Sequence, residues 1–176
     1  MIGTKKFMRF AALFAMALLV IAAAPVSETD SGSGDEGKGA SHLPLPRFAS
    51  LRAGEVNMRA GPGTRYPIQW VLTREGMPVE IAAEYEVWRR VRDPSGDEGW
   101  VNRNGLSGKR AAIVTGVRDL HDDSDDASAV VAHLEDGATG QLLSCKKEWC
   151  RLKFEGIKGY LRKTDFWGAY PDETFN

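Results

Sequence analysis

Val56-Asn57-Met58-Arg59-Ala60-Gly61-Pro62-Gly63-Thr64-Arg65-Tyr66 is the stretch whose reading decides the fold. Val56 and Met58 alternate with Asn57 and Arg59, the period of two expected of a half-buried strand. The alternation stops at Gly61-Pro62-Gly63, where glycine can take positive φ and proline presets φ at about −65°. A short strand running into a stiff loop is therefore predicted. Downstream, Trp88-Arg89-Arg90-Val91 followed by Gly99-Trp100-Val101 has a counterpart in Trp149-Cys150-Arg151-Leu152 followed by Gly159-Tyr160-Leu161, at offsets of 61 and 60 residues. Glu75-Gly76 matches Asp136-Gly137 at the same spacing, and Val56-Asn-Met-Arg matches Val117-Arg-Asp-Leu120 more loosely. An internal repeat of this length, with short strands and frequent turn residues, predicts two consecutive small all-β barrels.

Two segments precede the repeat. Lys5, Lys6 and Arg9 open the chain, and Phe10 to Ala24 is an uncharged apolar run of fifteen residues. A bilayer span needs roughly 20, so the run reads as a signal peptide over 1–23, cut after Ala22 or Ala23. No stable membrane anchor is expected after that cut. Residues 24–46 are read as a disordered linker, because Ser31 to Ser41 offers no apolar residue beyond Ala40 to offset its ordering entropy. Leu43-Pro44-Leu45-Pro46 then stiffens the chain toward polyproline II. The expected domains are 47–110 and 111–170, the second divergent, with 171–176 as a tail.

Charge narrows the partners. The chain carries 23 basic and 24 acidic side chains; residues 47–110 have a net charge of +3 and residues 111–176 of −4. Neither value is the footprint of a nucleic-acid binder, which needs a clearly basic domain. Cys145 and Cys150 are the two cysteines. In an exported chain an even cysteine count predicts a disulfide, and the four-residue gap lets them face each other across a hairpin tip. Leu143, Cys145, Cys150 and Leu152 can then share the inner face, although Leu142 is also apolar. Cys-x4-Cys with His121 or His133 does not complete a zinc set. Asp122-Asp123-Ser124-Asp125-Asp126 lacks the alternate spacing and central glycine of a calcium loop. No metal and no cofactor are expected. No activating triad surrounds Cys145, so the chain is not expected to be an enzyme.

The order of these motifs resembles the bacterial SH3-like family of exported envelope proteins, well over 47–107 and more weakly over 112–168. The resemblance implies five or so strands per domain and non-catalytic binding of peptidoglycan, its stem peptides or protein partners. It places the chain in the periplasm or outside the cell. Strand parity adds a site. If Val91 and Leu152 point inward, Trp88 and Trp149 point outward beside Arg90 and Arg151. The eukaryotic SH3 groove also carries a tryptophan at this place. Trp88 and Trp149 are thus candidate ligand contacts, with Tyr66, Arg59 and Arg90 beside them; the alternative is that the tryptophans mediate domain packing or homodimerisation. Trp70 fits either a surface or a core, since it shares parity with Ile68 and Leu72. The groove proline and tyrosine of the eukaryotic pattern are replaced by Asn102 and Gly105 in one repeat and by Arg162 and Asp165 in the other. Proline-rich ligands are therefore not expected. The function expected is an exported binding module for cell-wall peptide, glycan or an envelope protein.

Overall fold

A computed structural model describes residues 40–176. The expected signal peptide and most of the expected linker lie outside the described residues. The first repeat forms β1 (Arg47–Leu51), β2 (Val56–Arg59), β3 (Ile68–Leu72), β4 (Pro78–Tyr85), β5 (Trp88–Arg92), β6 (Glu98–Asn102) and β7 (Leu106–Ser107). The second forms β8 (Ala111–Val114), β9 (Arg118–His121), β10 (Val130–Leu134), β11 (Thr139–Lys146), β12 (Trp149–Phe154), β13 (Ile157–Arg162) and β14 (Phe166–Trp167). The first sheet runs β3-β2-β6-β5-β4-β1-β7 and the second β10-β9-β13-β12-β11-β8-β14. These are the same order shifted by seven strands. Two tandem all-β, SH3-like domains are the architecture, with seven strands in each sheet where five or so were expected. The extra pieces are short flanking strands that pair at the margin of each sheet.

Each sheet curls around its own apolar core. Met58, Val79, Val91 and Val101 fill the first and Leu120, Leu152, Leu161 and the two cysteines the second. The repeated glycine of the Gly-Trp-Val and Gly-Tyr-Leu strands has a steric reason. A Cβ on Gly99 would lie 2.5 Å from Met58 Cγ, and one on Gly159 would lie 2.6 Å from both the His121 carbonyl oxygen and Leu120 Cγ. Strands cross too tightly there for any side chain. Neither Gly61 nor Gly63 adopts the left-handed region, against the expectation from the Gly-Pro-Gly loop. Gly61 is needed because the Tyr66 ring lies where its Cβ would be, with Cδ1 at 2.5 Å.

A β-bulge settles the inner face of the long hairpins. The register of β11 against β12 shifts between Leu142 and Ser144, and that of β4 against β5 between Ile81 and Ala83. The extra residue reverses the parity. Leu142 and Cys145, three apart, both point inward, whereas Leu143 is only half-buried. The expected inner set is corrected at Leu143 for this reason. Cys145 and Cys150 are cross-strand partners and form a disulfide with Cα atoms 4.1 Å apart. At the same register in the first repeat stand Glu84 and Arg89, again cross-strand partners. Arg89 Nε lies 2.9 Å from Glu84 Oε1. One barrel closes this end with a covalent bond and the other with a buried ion pair.

The segments flanking the repeat are ordered by contacts. Ser41 donates its backbone N–H and its hydroxyl to Glu84 at 2.6 and 2.8 Å, and Leu45 packs against the first core. The expected linker therefore ends before Ser41, because a buried carboxylate recruits the chain. At the other end Phe175 pairs with Cys145 through two backbone hydrogen bonds of 2.9 and 3.1 Å, and Glu173 pairs with Arg110. Residues 171–176 are thus part of the second barrel's packing rather than a free tail.

The two barrels pack on one another through the outer face of β1. Ala49 and Leu51 enter the first core, yet Phe48 and Ser50 on the opposite face are buried too. Phe48 stacks edge-on against Trp167 at 4.9 Å and tilted against Tyr170 at 4.8 Å. Tyr170 Oη donates to Glu80 Oε1 at 2.9 Å, and Arg74 Nη1 donates to the Gly137 carbonyl at 2.8 Å. Burial, followed by the hydrogen bond to Glu80, pushes the Tyr170 phenol well above its ordinary range.

Candidate functional site

The expected symmetry between Trp88 and Trp149 fails, and the failure locates the site. Trp88 is only 8% exposed, so it offers no open indole face; its cross-strand neighbour Asn102 caps the following turn by accepting the Asn104 N–H. It is not a member of the first apolar core. Trp149 is half-buried and lines a groove of about 690 Å³ with Lys146, Lys147, Arg151, Tyr160 and Ser124.

The geometry around Trp149 is built from a turn, two strands and the acidic loop. The turn Lys147-Glu148 connects β11 to β12, with Lys147 at φ 49°, and its Glu148 carbonyl accepts the Lys163 N–H at 2.8 Å. From β13, Arg162 sits opposite Trp149 in register and lays its guanidinium 4.6 Å from the ring centroid. From β9, His121 meets the indole edge-on at 5.9 Å. The acidic loop supplies the fourth contact. Asp126 accepts from Arg162 Nε at 3.1 Å and Nη2 at 2.5 Å, while Glu148 accepts from Nη1 at 2.8 Å. The hydrogen bond to Asp126 raises the Arg162 pKa above its ordinary range, and the same bond holds the Asp126 carboxyl below the usual carboxylate range. Arg162 thus bridges Asp126 and Glu148 while its guanidinium lies over the indole.

Electrostatics at the groove run against the barrel's net charge. Asp126, though exposed, pairs with Arg162, and the groove wall carries Lys146, Lys147 and Arg151 against Glu148. Trp149 and Tyr160 beside Lys146, Lys147 and Arg151 offer aromatic surface and cationic donors to a sugar or peptide bearing carboxylates.

The other predicted residues sit elsewhere. Arg59 Nη1 donates to the Tyr66 and Thr64 carbonyls at 2.7 and 3.2 Å, so Arg59 and Tyr66 are brought together as the brace of the first loop. Arg90 is exposed on β5 and pairs with Glu98 at 2.5 Å. Neither group reaches the Trp149 groove. Trp70 stands 52% exposed on the edge strand β3. Packing between the barrels, the alternative role for the outward tryptophans, falls to Trp167. Arg162 was legible as the residue replacing a groove position of the SH3 pattern. Asp126 and His121 were not, because their approach depends on how the loop folds back.

The model of the bacterial SH3 domain matches residues 52–108 and 120–168. No curated protein matches the chain. Among solved structures it is similar to NlpC2 from Trichomonas vaginalis at 12% identity and a TM-score of 0.35, covering 74% of this chain and 51% of that one. It is also similar to NlpC1 from the same organism at 12% identity and 0.33, covering 77% and 50%. An NlpC/P60 family protein from Bacillus cereus ATCC 10987 is similar at 15% identity and 0.31, covering 69% and 57%. The chain spans about half the length of these structures.

Proposed function

The chain belongs to the bacterial SH3 domain family, and on that basis we propose that it is an exported, non-catalytic module that binds cell-wall peptide or glycan through its second barrel. The observation that carries this reading is the asymmetry of the tryptophan pair: one indole is covered, the other floors an open groove with a basic rim. Both cysteines are consumed in a disulfide, so neither is available as a thiolate nucleophile. A disulfide also fits an oxidising compartment such as the envelope or the exterior. Wall peptides bring carboxylates to Lys146, Lys147 and Arg151, and wall sugars bring flat faces to Trp149.

Co-sedimentation of the purified chain with isolated sacculi tests the reading. Trp149→Ala is expected to weaken retention at least about tenfold, the order contributed by a central interface indole, with an unchanged circular dichroism spectrum. Arg90→Ala, away from the groove, should bind as the wild type does. Wild-type retention by Trp149→Ala would remove the groove as the binding surface.

A further inference from the structure

The two ways of closing the barrel end point to a second site. Glu84–Arg89 and Cys145–Cys150 occupy equivalent registers, so this fold closes there with no charge at all. Burying ions where an apolar solution exists is costly unless they are used. Arg89 is only 7% exposed in its side chain, and Glu84 is fully enclosed. Arg47 Nη2 also reaches Glu84, at 2.5 Å. Arg103, exposed, lines the same pocket of about 330 Å³ as Arg47, Arg89, Ser41 and Ser107. Arg47 and Arg89 thus pair with one carboxylate, and Arg103 lines the pocket beside them. Among the described residues Arg103 makes no ion pair. Burial lowers the Arg89 pKa, the Glu84 carboxylate opposes that, and the charges of Arg47 and Arg103 add to the lowering.

We propose that this end of the first barrel is an oxyanion site, in which Arg89 and Arg103 receive a carboxylate or phosphate group of a ligand while Glu84 and Arg47 hold Arg89 in place. Arg89 Nε pairs with Glu84 and its Nη1 donates to the Glu86 and Trp88 carbonyls, each at 2.9 Å, so the donors for a planar carboxylate or a phosphate face are Arg89 Nη2 and the Arg103 guanidinium. The site lies in the other barrel from Trp149 and stands independently of what that groove binds.

The test follows the Arg89 Nε–H resonance by NMR as inorganic phosphate or acetate is titrated into the full chain at constant ionic strength. A saturable shift is expected with at least one probe. Saturation by phosphate alone assigns a phosphoryl ligand, by acetate alone a carboxylate, and by both a general oxyanion site. In Arg103→Gln the titration should need roughly tenfold more probe, the loss expected from one charge-assisted hydrogen bond. The double change Glu84→Cys and Arg89→Cys copies the second barrel; it should lose two hydrogens on oxidation and no longer show a saturable anion-dependent shift in Ser107 and Gly108. Absence of saturation in the wild type with both probes, or an unchanged midpoint in Arg103→Gln, would overturn the assignment even if the double variant fails to fold.

Discussion

Replacing Phe48 with alanine removes the ring that both barrels share, and its cost follows from the contacts. The residue is 8% exposed, with Trp167 and Tyr170 centroids at 4.9 and 4.8 Å and the Arg110 guanidinium carbon at 5.6 Å. Burial of a phenylalanine contributes about 1.5–3 kcal/mol, and each aromatic pair adds about 0.5–1.5 kcal/mol. The sum agrees with the roughly 3–5 kcal/mol lost in Phe→Ala changes within packed interiors. For a chain of this size each kcal/mol moves Tm by about 2–4 °C, so a fall of roughly 6–20 °C is expected. Scanning calorimetry should resolve the uncoupling as two transitions in the variant where the wild type has one. Phe48→Leu keeps much of the apolar area and should fall between the two. A variant that melts as one transition within about 2 °C of the wild type would show that the ring does not couple the barrels.

Reducing or removing the Cys145–Cys150 bridge should cost about 2 kcal/mol, since the loop it closes is short; equilibrium urea unfolding with and without reductant measures this, and a loss near zero would mean that Phe175 pairing alone holds the hairpin tip. Gly159→Ala places a Cβ against the His121 carbonyl and should destabilise by about 1–3 kcal/mol, more than Gly108→Ala, where a Cβ meets nothing within 4 Å. Acid should destabilise the chain. Burial would raise the Glu84 and Glu173 pKa values, but hydrogen bonds from Arg47 and Arg110 outweigh it and hold both below the ordinary 4.5. A depressed carboxylate adds stability above its unfolded value and loses it as pH falls through the folded one. Tm measured from about pH 6 to about pH 3 should therefore drop, less steeply in Glu84→Gln; a flat profile would contradict the assigned pairs.

Much of the architecture is written locally. The period-two strands, the 60- and 61-residue offsets and the turn pairs such as Glu75-Gly76 are properties of neighbouring residues, and backbone pairing follows from them. The outward direction of Trp88 and Trp149 is also local, being a matter of parity along one strand. The disulfide follows from two cysteines placed five apart across a hairpin tip.

Tertiary structure decided what lies over an outward side chain. Phe48 faces away from its core yet is buried because Trp167 and Tyr170 of the second barrel sit on it. Trp149 is only half-buried, and Arg162, Asp126 and His121 are brought to its surroundings by two other strands and a loop. Leu142 replaced Leu143 at the inner face through a one-residue bulge, and such a bulge leaves no mark on the hydrophobic pattern. Strand direction is set by adjacent residues and can be read along the chain; burial is set by whichever distant segment lands on top, and adjacent residues carry no record of it.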